Sequence, residues 1–216
     1  MGKVNITRIV VALILITSAG IALFFQGRTA HTPDVRTVAA RYYEVIAAVE
    51  KLYENHQQKN GYYYNGSFRE KNEVKDYLSP YMTQGAKEQV INTFFQQEKN
   101  HLVYAEEFQD FILIQRDALI NSSGKNDYYT VVKNSLLNPG LKMIREEQLD
   151  IKQRGEHYIV EAKNIPVKFY REKDKQYNNH YTRLGYPAQD RLSFTFQFVE
   201  SDGELLLSSY SVRAGS

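Results

Sequence analysis

The chain has 216 residues, 43% of them hydrophobic, and a formal net charge of +2 at pH 7. It contains no cysteine, which excludes disulfides, cysteine nucleophiles and cysteine-ligated metals. Lys3, Arg8 and Arg28 are the only basic residues among the first 30, and all 25 acidic residues follow them, so the remainder has a formal charge of −1. This near-neutral balance argues against bulk electrostatic binding to nucleic acid, which is therefore not an expected partner.

An uncharged run at residues 9–25 is the first predicted element. As a helix rising about 1.5 Å per residue it would cover roughly 25 Å, the short end of the transmembrane range. Lys3 and Arg8 precede it and favour a cytoplasmic N-terminus. The predicted order is a cytoplasmic N-terminus, a single-pass anchor in the cell membrane, a linker and an extracytoplasmic domain: residues 1–8, 9–25, 26–33 and 34–213.

The alternative for the same segment is a cleaved signal peptide. Small residues at 17–19 would suit a signal protease. Cleavage there would leave the apolar residues 21–25 at the new terminus, and Arg28 spoils the small-residue pattern at 28–30. The sequence therefore favours a retained anchor and leaves a secreted factor as the alternative.

Apolar residues then recur every three or four positions, which predicts an amphipathic helix over residues 34–58. Asp34 is its predicted N-cap and Gly61 its predicted stop. Three consecutive tyrosines follow in a predicted loop or short turn: Tyr62, Tyr63 and Tyr64.

Further short helices are predicted next. The pattern indicates a brief helix at 72–77, a possible helix start at Ser79-Pro80, and a helix capped by Thr83 with an apolar face that includes Phe94. The chain is thus expected to be mostly helical up to about Lys99.

In the second half of the chain, the spacing of apolar residues changes from a helical period to the alternation typical of strands. Residues 108–114 suit either a strand or a buried helix end, and 128–132 are typical of a strand. Residues 149–170 predict a hairpin that turns near Arg154-Gly155. One face of the hairpin is expected to carry three residues at alternate positions: Tyr158, Val160 and Ala162.

The clearest strand spans residues 191–200, where Leu192 and three phenylalanines alternate with polar residues. Ser201-Asp-Gly203 predicts a hairpin turn, and 205–212 return as the last strand. Helices followed by an antiparallel sheet predict an α+β fold.

The long first helix, the Leu78-Ser-Pro-Tyr81 segment with the helix behind it, and the terminal strand pair resemble the NTF2-like superfamily over about residues 34–213. This resemblance implies a cone of helices packed on a curved antiparallel sheet. The anchor-plus-cone layout also resembles membrane-anchored VirB8-like components of bacterial secretion machines and small Gram-positive envelope domains. Some NTF2-like members use an Asp base and a Tyr donor, roles for which Asp110 or Asp117 with Tyr104 would be the candidates.

No catalytic motif is found in the sequence, whose five histidines are scattered. We therefore predict no catalytic residue, no metal ligand and no cofactor. Residues 171–187 mix cations with aromatic rings, a combination that can stack on sugars or bases and pair with phosphates, while the simpler alternative is a mobile, solvated loop between strands. The predicted binding residues come from this loop and from the tyrosine run: Tyr177, Tyr181, Arg183, Tyr186, Tyr62, Tyr63 and Tyr64.

The leading hypothesis is a non-enzymatic binding or assembly protein of the bacterial cell envelope, with an envelope protein or the cell wall as partner. The alternatives are a small-molecule-binding pocket protein or NTF2-like enzyme, and a secreted factor released by signal cleavage.

Overall fold

Helices and antiparallel strands share the chain, and the predicted α+β class is confirmed. The computed structural model describes residues 33–99, 101–117, 128–177 and 180–215. One compact unit begins at Asp34. The described helices, α1 to α7, are Val35–Leu52, Lys71–Leu78, Gln84–Phe94, Glu106–Asp117, Tyr128–Val132, Gly140–Met143 and His180–Arg183. The described strands, β1 to β8, are His56–Lys59, Tyr62–Asn65, Phe95–Glu98, His101–Tyr104, Asp150–Arg154, His157–Lys168, Gln189–Ser201 and Glu204–Ala214.

The strands form two small hairpins and one larger sheet. β1 pairs with β2, β3 pairs with β4, and β5-β6-β7-β8 make an antiparallel meander. The register shifts between Ala162 and Ile165 in β6, and again at Gln197 and Phe198 in β7. Such bulges bend a strand and increase its twist, so the larger sheet is curved.

Strand β7 shows the alternation that the sequence predicts. Thr195 is half-buried and Gln197 is exposed, while the alternate apolar positions are buried: Leu192, Phe194, Phe196 and Phe198. The turn after β7 places Asp202 at φ 53° and Gly203 at φ 84°. Two successive left-handed residues are what a tight hairpin requires, so this predicted turn is confirmed.

Helix α1 covers the buried face of the sheet. Its Tyr42 ring stacks on Phe194 at 5.2 Å and meets Phe196 edge-on at 4.9 Å between ring centroids. The Tyr42 hydroxyl donates a hydrogen bond to the Leu141 carbonyl at 2.9 Å, so the buried phenol is satisfied. At the start of α1, the Asp34 carboxylate accepts a hydrogen bond from Thr37 N–H at 2.7 Å, which confirms the predicted N-cap.

The predicted end of α1 is wrong. The helix stops at Leu52, and His56–Lys59 forms strand β1 instead of two further turns. The buried Asn65 amide donates to the Lys51 and Leu52 carbonyls at 3.0 Å each, which satisfies the free carbonyls at the helix end. Gly61, the predicted helix stop, lies in the turn between β1 and β2 at φ 85°.

Three other predictions require correction. Tyr62, Tyr63 and Tyr64, predicted to lie in a loop or short turn, belong to strand β2. Residues 128–132 form helix α5, not a strand, with Tyr129 and Val132 buried three positions apart on one helical face. Packing therefore outweighs the strand preference of this aromatic and β-branched segment. The chain turns at Ser79-Pro80 without starting a helix there, and α3 begins after its N-cap Thr83.

The predicted membrane anchor, residues 9–25, lies outside the described residues. Within the described ranges, none of the helices is both long enough and apolar enough to cross a bilayer.

Candidate functional site

A cavity of about 250 Å³ lies between the β1-β2 hairpin and the β3-β4 hairpin. We call it the hairpin groove. Its lining is dominated by basic and aromatic side chains: Lys59, Arg69, Lys99, His101, Tyr62 and Tyr64. The groove therefore combines positive charge with flat ring surfaces.

The first wall of the groove follows from the geometry of one hairpin. Asn60 at φ 53° and Gly61 at φ 85° form a left-handed turn pair that joins β1 to β2. Side chains alternate between the faces of a strand, so Tyr62 and Tyr64 share the groove side of β2. Tyr63 points the other way and is only 6% exposed.

The second wall comes from the β3-β4 hairpin. Glu98 pairs with His101 at its end, and Lys99 adopts φ 52° in the turn. Leu102 N–H donates to the Arg69 carbonyl at 3.0 Å, which holds the segment after β2 against β4. This contact brings Arg69 to the groove beside the two hairpins.

The side-chain amide of Gln109, on helix α4, joins the two hairpins. Its Oε1 accepts a hydrogen bond from Tyr63 N–H at 2.6 Å. Its Nε2 donates to the Tyr63 carbonyl at 2.8 Å and to the Tyr104 carbonyl at 2.9 Å. One amide thus satisfies backbone groups of both β2 and β4, which fixes the separation of the groove walls.

Positive charge predominates in the hairpin groove. The described lining residues include three full cations and one carboxylate, Glu98. Among the described residues, Lys59, Arg69 and Lys99 form no salt bridge. Outside the lining, hydrogen bonds from the Arg69 and Glu70 backbone N–H groups lower the pKa of Glu73, and the charge of Arg69 adds to that effect. Clustered cations that form no salt bridge in a cleft give an electrostatic field that attracts anions.

The predicted binding residues divide between two cavities. Tyr62 and Tyr64 line the hairpin groove, whereas Tyr181 and Tyr186 line a second cavity of about 370 Å³. Arg183 is exposed on helix α7, and the structure describes the backbone of Tyr177 but not its side chain. The structure therefore does not unite the predicted residues in one site.

Two of the predicted binding residues are buried. Tyr63 is 6% exposed and Tyr186 is 5% exposed, and both belong to the hydrophobic core. Alternation along β2 turns Tyr63 inward, and the Tyr186 ring packs on the Phe169 ring at 4.9 Å between centroids, so both side chains contribute to the core, and their role in binding stays a prediction. Arg183 and Tyr177 stay predictions.

Sequence reasoning missed the cations of the hairpin groove. Lys59, Arg69 and Lys99 are dispersed along the chain and converge only when both hairpins form. The available signal was Asn60-Gly61, a strong turn dipeptide that predicts a hairpin when the flanking residues are extended. The flanking residues of β1 are all exposed and show no alternation, so the dipeptide looked like a helix stop.

Of the candidate acid-base residues, the structure describes the side chains of Tyr104 and Asp110 but only the backbone of Asp117. The Tyr104 hydroxyl is buried and donates towards the Leu52 and Glu54 carbonyls at 3.2 Å, while Asp110 is exposed. Burial lowers the pKa of His56, whose Nδ1 lies 3.2 Å from the same hydroxyl. Within the described ranges, no three His, Asp or Glu side chains converge in a way that would hold a metal ion.

No protein-family model matches the chain, and comparisons with curated proteins and with solved structures also find no match.

Proposed function

We propose that the chain is a non-enzymatic binding protein of the bacterial cell envelope, in which residues 9–25 anchor a domain outside the cytoplasm. The domain takes an anionic cell-wall polymer in the hairpin groove. The observation that carries this proposal is the set of groove cations, Lys59, Arg69 and Lys99, which form no salt bridge with other described residues.

The chemistry of the groove favours a polymer with both charge and ring surfaces. Lys59, Arg69 and Lys99 supply charge-assisted hydrogen bonds to phosphate or carboxylate groups. Tyr62 and Tyr64 add ring faces on which sugar rings stack, and hydroxyls that bind polar groups. The fixed walls limit the ordering that binding would require, since preorganisation reduces the entropic cost of association.

The finer architecture that we propose is the NTF2-like cone. Its support is the packing of the long helix α1 on a curved, four-stranded antiparallel sheet. The anchor is supported by the length of the apolar run at 9–25, and its orientation by Lys3 and Arg8.

Charge reversal in the groove tests the proposal. The variant combines Lys59→Glu, Arg69→Glu and Lys99→Glu in the full-length protein. A matched control reverses three exposed cations on the larger sheet that form no salt bridge with described residues: Arg154, Lys168 and Arg213. Both variants change the net charge equally, so a difference between them reports on the groove.

The measurement is retention of the detergent-solubilised protein on isolated cell walls, before and after their anionic polymers are removed. We expect the wild type and the control to bind untreated walls, and the groove variant to lose at least about tenfold in affinity, since interactions with ionised groups each contribute about 1.5–3 kcal/mol. Binding should also weaken as salt rises. Equal retention of the groove variant and the control would contradict the proposal.

A further inference from the structure

The second cavity, of about 370 Å³, has an aromatic wall. Four tyrosines line it: Tyr53, Tyr128, Tyr181 and Tyr186. Ring centroids are 6.0 Å apart for Tyr53 and Tyr128, 6.3 Å for Tyr128 and Tyr186, and 5.2 Å for Tyr181 and Tyr186. The rings thus form one continuous surface that joins the end of α1, α5 and the segment around α7. We call this cavity the tyrosine cleft.

The charge at the tyrosine cleft is opposite to that of the hairpin groove. Glu50 and Glu54 line it, and the described lining includes no lysine or arginine, although His180 is present. The Glu50 carboxylate is bound by Lys142 at 2.7 Å. Glu54 forms no salt bridge with any other described residue. One free carboxylate therefore stands beside an aromatic wall.

The phenols do not supply negative charge of their own. Burial raises the pKa of Tyr53, Tyr128 and Tyr186, so these hydroxyls stay protonated at neutral pH. What the rings offer is the negative face of a π-system, which attracts a cation held within about 6 Å of the ring centroid. A carboxylate next to such rings also attracts the cation, through a longer-range Coulomb interaction.

We propose that the tyrosine cleft binds an alkylammonium group, with Tyr181 and its neighbouring rings contacting the methyl or methylene groups and Glu54 balancing the charge. This site is distinct from the hairpin groove and does not depend on the proposed polymer binding. The volume of the cleft lies within the range of small-ligand sites, about 300–1,000 Å³. A neutral ligand of the same shape would contact the rings but gain nothing from the Glu54 carboxylate. The ligand's charge therefore discriminates between an alkylammonium group and its neutral isostere.

Choline and its neutral isostere 3,3-dimethyl-1-butanol are the probes. They are titrated into the full-length protein in nanodiscs of phosphatidylglycerol, which lacks choline, and tyrosine ring signals are followed by NMR. We expect choline to bind at least about tenfold more tightly than the isostere, which corresponds to about 1.4 kcal/mol. Equal binding of the two probes, or no binding of choline, would overturn the proposal.

Two substitutions locate the binding. Glu54→Gln changes an exposed side chain and preserves its shape, so the fold should persist. Tyr181→Leu keeps apolar volume but removes the ring. Each should weaken choline binding about threefold or more, since a single cation–π contact contributes about 0.5–2 kcal/mol. The control Asp76→Asn neutralises an exposed carboxylate on α2, away from the cleft lining, and should bind choline as the wild type does. Unchanged affinity in both cleft variants would overturn the assignment.

Discussion

The Gln109 amide occupies a position for which no other side chain is equivalent. A side chain at this position must accept a hydrogen bond from Tyr63 N–H and at the same time donate to the Tyr63 and Tyr104 carbonyls. An ionised carboxylate accepts but cannot donate, and an apolar side chain does neither. The residue therefore links the hairpins through its chemistry as well as its size, and the groove walls depend on it.

We predict that Gln109→Leu lowers the free energy of unfolding by about 2 kcal/mol or more, because partly buried backbone groups lose their partners. Urea denaturation followed by circular dichroism measures the change. The control Gln96→Leu alters an exposed glutamine on β3 and should fall within about 0.5 kcal/mol of the wild type. Equal stability of the two variants would show that Gln109 does not hold the hairpins together.

The capping and turn residues were predictable because their signals are local. Asp34 caps α1 and Asp202-Gly203 turns the last hairpin, each through groups within a few residues. The Gln109 contacts with Tyr63 span 46 positions in the chain, and no local pattern encodes them. The same holds for the groove cations, so the sequence indicated Tyr62 and Tyr64 but not the charges beside them.

At the scale of elements, the regularity of the hydrophobic pattern decided what could be predicted. Buried positions alternate with more exposed ones over residues 157–162 of β6 and 192–198 of β7 because one face packs under α1, and both strands were predicted. Strand β1 is exposed at every position, so it carries no pattern that distinguishes it from a helix end. Helix α5 has only five residues, too few for a helical repeat of apolar positions to be recognised in the sequence. Its helical conformation is therefore determined by packing.

The β7 alternation gives a sharp prediction. Phe196 is fully buried and packs on Tyr42, so Phe196→Ala should cost about 3–5 kcal/mol of stability. Its neighbour Thr195 lies on the opposite face, where Thr195→Ala should cost less than about 1 kcal/mol. Urea denaturation of the two variants makes the comparison. Similar losses for both would mean that the assigned core face of β7 is wrong.

At the scale of the whole molecule, the charge is balanced overall but segregated locally. The region after residue 30 has a formal charge of −1, yet the hairpin groove is basic and the tyrosine cleft is acidic. Composition alone therefore hides the electrostatic features on which both binding proposals depend. The positive potential of the hairpin groove and the negative potential of the tyrosine cleft favour different ligands, so they support selective binding rather than non-specific binding to any surface of one charge.

The proposed anchor would place both clefts outside the cytoplasm, and its retention is a separate prediction. The full-length protein should stay with the membrane after alkaline washing, and its N-terminal sequence should begin before residue 9. The double variant Leu13→Arg, Leu15→Arg should be released, because each arginine near a helix centre costs about 2.5–3.5 kcal/mol of insertion. Thr17→Ser is the control and should remain bound. A mature terminus between Ser18 and His31 would instead establish cleavage, and the domain would then act as a secreted factor.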